Sequence, residues 1–230
     1  MRWSLRIACV AGIGIHVHAT FPLLLIWAAV TNYLQRRWWA DAVFAVAFVL
    51  ILFGIIVLHE LGHALAARRY GIPTRDITLL PIGGVARLDR IPEIPRQELV
   101  IAIAGPAVNV VLALLFFILA GGSQRLGRLL DFNLGLRGLF MNLMLVNLLL
   151  TAFNLTPAFP MDGGRILRAL LAMRLSYLRA TEIAVRVGQV FALIFMVLGY
   201  YNPFLIVIAF FVWVGATRER ALVRFNHPAG

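Results

Sequence analysis

Long apolar runs alternate along this chain with short breaks that carry arginine. Six runs stand out, at roughly 18–33, 42–67, 99–119, 138–153, 188–200 and 203–216, and residues 42–58 contain no charge at all. Several approach the ~20 apolar residues that a bilayer-spanning helix needs. The third is interrupted by Gly105-Pro106, and the fifth is short unless it starts nearer Ala180. Between the runs the period changes. Ile13, Ile15 and Val17 alternate with Gly14 and His16, the pattern of a short strand or an extended interfacial segment. Residues 77–80 and 85–88 flank Pro81-Ile82-Gly83-Gly84, which predicts a hairpin. Residues 154–164 hold two prolines and two glycines, which argues against regular helix. Over 165–187, Leu167, Leu170, Leu171 and Leu175 recur at helical spacing among five arginines, predicting an amphipathic helix at the interface. The expected fold class is an all-α polytopic membrane protein: six transmembrane helices and a small membrane-associated β-hairpin, in one domain over 1–230.

Composition sharpens this picture. The chain has 230 residues, 62% of them apolar, with a mean hydropathy of +0.90. A soluble domain is about 45–50% apolar, so most of this surface must face lipid or other helices. The net charge of +11 comes from 21 arginines without a single lysine. They sit between the runs, so membrane topology accounts for them and nucleic-acid binding does not. With the N-terminus inside, the inner segments carry 16 arginines and the outer ones 5, which favours six spans with both termini cytoplasmic. The first run reads as a retained helix rather than a cleaved signal. Cys9 is the single cysteine, so no internal disulfide and no thiolate zinc cluster can form.

The candidate chemistry lies at the end of the second run, in His59-Glu60-Leu61-Gly62-His63. Histidines four apart share one helix face and can grip one tetrahedral zinc ion. Glu60, on the adjoining arc, is placed to take a proton from water activated by the metal. Hydrolytic zinc sites keep one position open, so a third protein ligand is needed. Of ten acidic residues, Asp162 stands apart: it follows an apolar run, lies in the broken 154–164 stretch and has no basic neighbour. Runs two and four cross in the same direction, so both motifs arrive at one cytoplasmic depth. His63 lies five residues before Arg68, about 7–8 Å by helix rise, which makes the site shallow. Irregular backbone at that depth is tolerated where it lines a polar cavity.

These residues resemble the site-2 proteases, a family of intramembrane zinc metalloproteases. The likeness rests on His59-Glu60-Leu61-Gly62-His63 and on Asn154, Pro157 and Pro160-Met161-Asp162-Gly163-Gly164-Arg165. Ala104-Gly105-Pro106 with Asn109, the Gly83-Gly84 loop and 12–20 add to it. The resemblance implies one zinc ion held by His59, His63 and Asp162, with Glu60 as general base. It implies substrates that are transmembrane helices of other proteins, cut to release membrane-tethered regulators or to clear signal-peptide remnants. It places the chain in a prokaryotic cell membrane as a multi-pass protein. Loop 120–136 is too short for the PDZ domain of some members, and the residues after Ala216 are too few for a cystathionine-β-synthase-type domain.

A helical substrate must unwind before its peptide bonds can be reached. The 77–88 hairpin could then take it up by strand addition, and Asn154 could donate to its backbone. Expected partners are thus the substrate helix and the lipid bilayer, with no nucleic acid and with homo-oligomerisation open. His16, His18, Asn109, Asn142 and Asn147 read as packing or helix-bonding residues, and the 165–187 arginines as a solvated or headgroup-facing set. Two other readings remain: a catalytically inactive zinc-binding membrane scaffold, and a metal-ion transporter.

Overall fold

A computed structural model describes residues 3–81, 83–90, 92–121 and 136–226. Residues 122–135 of the expected 120–136 loop, with Arg125, Arg128 and Asp131, lie outside the described residues, as does His227. The chain divides into two compact units, Met1–Ile91 and Pro92–Gly230.

The first unit opens on strands β1 (Ser4–Val10) and β2 (Ile13–His18). In the turn between them Ala11 has φ 51° and Gly12 φ 82°. Positive φ at both turn positions matches the twist of the flanking strands, which is why such two-residue turns close hairpins. Helices α1 (Phe21–Arg36) and α2 (Trp39–Arg69) follow, then β3 (Thr74–Leu80) and β4 (Gly83–Leu88). The sheet order is β1-β2-β3-β4, with β2 and β3 parallel and the outer pairs antiparallel. A parallel pair requires a long crossover, and α1 with α2 supplies it.

The two-residue period of a strand sends Ile13 and Ile15 of β2 and Ile77 and Leu79 of β3 to one face. There they pack on Leu61, Ala64 and Phe53 of α2 and Phe21 of α1. Phe21 meets Phe53 edge-on, with ring centroids 4.6 Å apart. The expected hairpin is thus half of a four-stranded sheet, and the all-α class is corrected to mostly helical with a small sheet. The pairing of β2 with β3 joins segments far apart in sequence, and no local pattern encodes it.

The second unit holds α3 (Pro95–Leu119), α4 (Leu136–Asn154), α5 (Asp162–Ala172), α6 (Tyr177–Leu198) and α7 (Phe204–Asn226). Among described residues, α3 packs on α4 and α5, and α6 on α5 and α7. Three sequence expectations change here. Helix α3 runs through Gly105-Pro106, both buried; a membrane helix tolerates proline where neighbouring groups compensate the lost bond. The expected 165–187 helix breaks at Ser176, whose extended backbone caps α6. The fifth run accordingly starts at Tyr177, close to the earlier start near Ala180 that its short length left open. Gly163 and Gly164 lie inside the first turns of α5 rather than ending helix.

Among the described residues, three helices are long and apolar enough to cross a membrane: α2, α3 and α6. At ~1.5 Å per residue, the 31 residues of α2 extend about 46 Å, more than a hydrocarbon core of ~30 Å. The other three expected spans fall on α1, α4 and α7. The apolar parts of α1 and α4 are shorter, Phe21–Gln35 and Gly138–Asn154. Helix α7 carries Arg218, Glu219 and Arg220 in its second half. The chain is a membrane protein, and its large exposed side chains, including Val111, Leu114 and Ile118 on α3, suit contact with lipid.

Candidate metal centre

Helix α2 carries the H-E-x-x-H residues in its C-terminal half. The helix is fixed there by its sheet-facing side: Leu61 and Ala64 pack against Ile13 and Ile77. His59 and His63 are buried, each 6% exposed. Their Nε2 atoms stand 3.1 Å apart, with the rings nearly perpendicular at 80°. Two nitrogens binding one tetrahedral ion at ~2.05 Å would lie about 3.3 Å apart. The imidazole pair therefore fits a shared zinc-sized ion, in donor type and in separation.

Glu60 is half-buried and adjoins the strand edge. A Cβ placed on Gly84 of β4 would lie 2.9 Å from Glu60 Cγ and 2.9 Å from Ile56 Cγ2. Real Cβ atoms do not come this close, so glycine is what lets β4 lie against the carboxylate-bearing side of α2. The strand beside Glu60 is also one of the two edge strands of the sheet.

In the second unit, Asn154 closes α4 and Asp162 opens α5. Asp162 is buried, 8% exposed. Its place in the first turn sets the carboxylate at the positive end of the helix dipole. Asn154 is half-buried. Between them, residues 155–161 run without regular structure and are held by close backbone approach. A Cβ on Gly163 would lie 2.2 Å from the Thr156 carbonyl oxygen, and one on Gly164 would lie 2.7 Å from the Phe159 nitrogen. Gly215 of α7 meets Pro160 just as tightly, its Cβ position 2.5 Å from Pro160 Cδ. Gly163 and Gly164, read from sequence as helix breakers, are contact residues that let α5 press on this segment, and Gly215 does the same for α7.

Sequence reading missed an ionic cluster in this unit. Arg168 of α5 is 1% exposed, not the solvated or headgroup-facing arginine expected. Its Nε donates to Glu98 Oε1 at 2.9 Å and its Nη2 to the same oxygen at 2.5 Å, while Nη1 donates to Glu219 Oε1 at 2.6 Å. The guanidinium also lies 5.0 Å from the Phe159 ring centroid and 4.9 Å from that of Tyr177. Burial alone would lower the Arg168 pKa, but the Glu98 carboxylate, with Tyr177 and Glu219, outweighs it and the net direction is upward. Its lone signal in sequence was placement: Arg168 follows Leu167 and precedes Ala169, within the apolar stripe of an otherwise arginine-rich helix.

Two of the remaining candidates make local bonds. His18 Nδ1 lies 2.8 Å from Thr20 Oγ1, where the chain enters α1. Asn147 donates to the Leu143 carbonyl one turn earlier, at 2.8 Å. Asn109 is fully buried in α3.

Comparison with known proteins gives a consistent result. The model for peptidase family M50 matches residues 47–195. A zinc metalloprotease of Methanocaldococcus jannaschii is 40% identical over 225 residues, covering 97% of this chain and 62% of that protein. The stage IV sporulation protein FB of Bacillus subtilis is 26% identical over 204 residues, covering 87% of this chain and 61% of its own length. The chain thus spans about three fifths of these two curated relatives. Among solved structures, a site-2 protease from Methanocaldococcus jannaschii superposes with a TM-score of 0.66 at 40% identity, covering 95% of both chains. The resemblance drawn from the motifs is borne out.

Proposed function

We propose, because this chain belongs to peptidase family M50, that it is a zinc-dependent endopeptidase cutting peptide bonds within or beside transmembrane segments of membrane-tethered proteins. The observation that carries this reading is the buried imidazole pair on an apolar helix, Nε2 to Nε2 at 3.1 Å, with a carboxylate one residue away. A reaction centre that consumes water has little reason to be built at this depth unless its substrate lies there too.

Zinc would be held by His59, His63 and Asp162, all three buried. Two neutral imidazoles and one carboxylate are a donor set of hydrolytic zinc sites, which leave a position for water or substrate. When bound there, the ion supplies Lewis acidity, lowering the pKa of water and polarising a carbonyl. Glu60 accepts the proton from the attacking water and passes it to the leaving amine, restoring its own carboxylate. Asn154 donates an amide hydrogen to the substrate backbone. The outer edge of β4 offers unpaired backbone groups to an unwound segment, which would join as a fifth strand.

Regulated proteolysis of tethered regulators is the setting in which such a cut has an outcome. The six-span arrangement, as one catalytic membrane domain with both termini cytoplasmic, is part of this proposal. The arginine asymmetry supports it. Trp38 and Trp39 between α1 and α2, and Tyr200 and Tyr201 between α6 and α7, all strongly exposed, suit helix ends at a membrane interface on either side.

The test is cleavage of a co-expressed single-span membrane protein, read by mass spectrometry of its products. Wild-type protein should yield a cut at or near the span, and a chelator should abolish it. Glu60→Gln should lose at least a hundredfold in rate while keeping its zinc. Equal processing by wild type and Glu60→Gln would remove the protease reading and leave a scaffold.

A further inference from the structure

Arg168 is the least expected charge in the second unit. A buried cation with two carboxylates loses hydration that its ion pairs only partly return, and a hydrophobic replacement of the same volume is often as stable. Stability alone is therefore a weak reason for this cluster. Its geometry suggests another. The guanidinium reaches Glu98 on α3, Glu219 on α7 and the ring of Tyr177 on α6. It also lies over the ring of Phe159, which precedes Asp162 by three residues, while Arg168 follows it by six. The stretch 159–168 is thus closed on itself by a ring–guanidinium contact, with Asp162 inside the closed segment. Within that segment Gly163 and Gly164 press against the backbone of residues 155–159.

We propose that Arg168 is a positioning residue for the metal site: by tying Phe159, Glu98 and Glu219 together, it fixes the direction in which Asp162 is presented. The proposal rests on the reading of Asp162 as a ligand. Arg168 touches neither metal nor substrate and acts through α5 and the segment before it. The planar fork matters as well as the charge. It uses Nε and Nη2 on Glu98, Nη1 on Glu219, and its faces on Phe159 and Tyr177. A lysine ammonium offers no such set of directions.

The experiment uses the full chain in lipid nanodiscs loaded with cobalt(II), whose visible absorption reports the number and arrangement of ligands. Wild type, Arg168→Lys, Arg168→Met and Glu219→Gln are compared for absorption, cobalt affinity by chelator competition, and thermal unfolding without metal. The expected result is a loss of at least tenfold in affinity and a changed spectrum for Arg168→Met. Arg168→Lys should recover part of the affinity but not the wild-type spectrum. Glu219→Gln, which keeps the guanidinium and its Glu98 bonds, should show a smaller change in the same direction, and it carries the test if Arg168→Met does not fold. Variants that unfold earlier yet bind cobalt with wild-type affinity and spectrum would overturn the proposal, leaving Arg168 a purely structural group. A wild-type protein that binds no cobalt would overturn the metal-site reading instead, and this inference with it.

Discussion

At the residue scale, the proposed reaction centre depends on where small side chains allow larger ones to go. Gly84 is the sharpest case, since a Cβ there would fall 2.9 Å from the Glu60 side chain and 3.4 Å from its Oε1. Replacing it with valine must push either β4 or Glu60 aside. The predicted outcome for Gly84→Val is a fall of at least tenfold in kcat with zinc content unchanged, and a loss of about 1–3 kcal/mol in stability from overpacking. Turnover, metal analysis and thermal unfolding of one preparation separate these effects. Wild-type turnover in a folded variant would show that the close approach of β4 to Glu60 has no part in the reaction. The histidine pair was legible in sequence because four-residue spacing on a helix fixes which face both rings share. Arg168 was overlooked, because among five arginines its one mark was its place within the apolar stripe.

At the element scale, the limits of sequence reading follow the range of the interactions. The β3–β4 hairpin and the apolar cores of α2 and α3 are local features, and period and turn chemistry revealed them. The pairing of β2 with β3 is not local, so β1 and β2 showed only a short alternating stretch. Pro106 also misled: a proline reads as an interruption in isolation, yet buried in α3 it is accommodated by its neighbours. Gly163 and Gly164 were read as breakers for the same reason. Their need for space comes from the carbonyls of residues 155 and 156 and the backbone of 158 and 159, which the helix touches only once folded. The division of 165–187 into α5 and α6 belongs here too. Ser176 adopts extended backbone at the boundary, where composition showed only a run of arginines and leucines.

At the scale of the whole molecule, the proposed orientation rests on charge, and the chain carries its own probe for it. Cys9 is its single cysteine and lies exposed on β1. A cytoplasmic N-terminus predicts that a membrane-impermeant maleimide labels Cys9 in inverted vesicles and not in right-side-out ones. Labelling confined to right-side-out vesicles would reverse the proposed topology and put the H-E-x-x-H end of α2 on the other side. That arrangement would conflict with an inner-to-outer arginine ratio of 16 to 5.

In the proposed centre, His59, His63 and Asp162 hold one zinc ion beside Glu60. Metal stoichiometry of the purified full chain, by elemental mass spectrometry after dialysis against a weak chelator, tests it most directly. The account predicts one zinc per wild-type chain, one per Glu60→Gln chain, and less than about a tenth for His63→Ala and Asp162→Ala, since a site left with two ligands loses most of its affinity. Full zinc retention by folded Asp162→Ala would contradict the account, because the third ligand would then come from elsewhere.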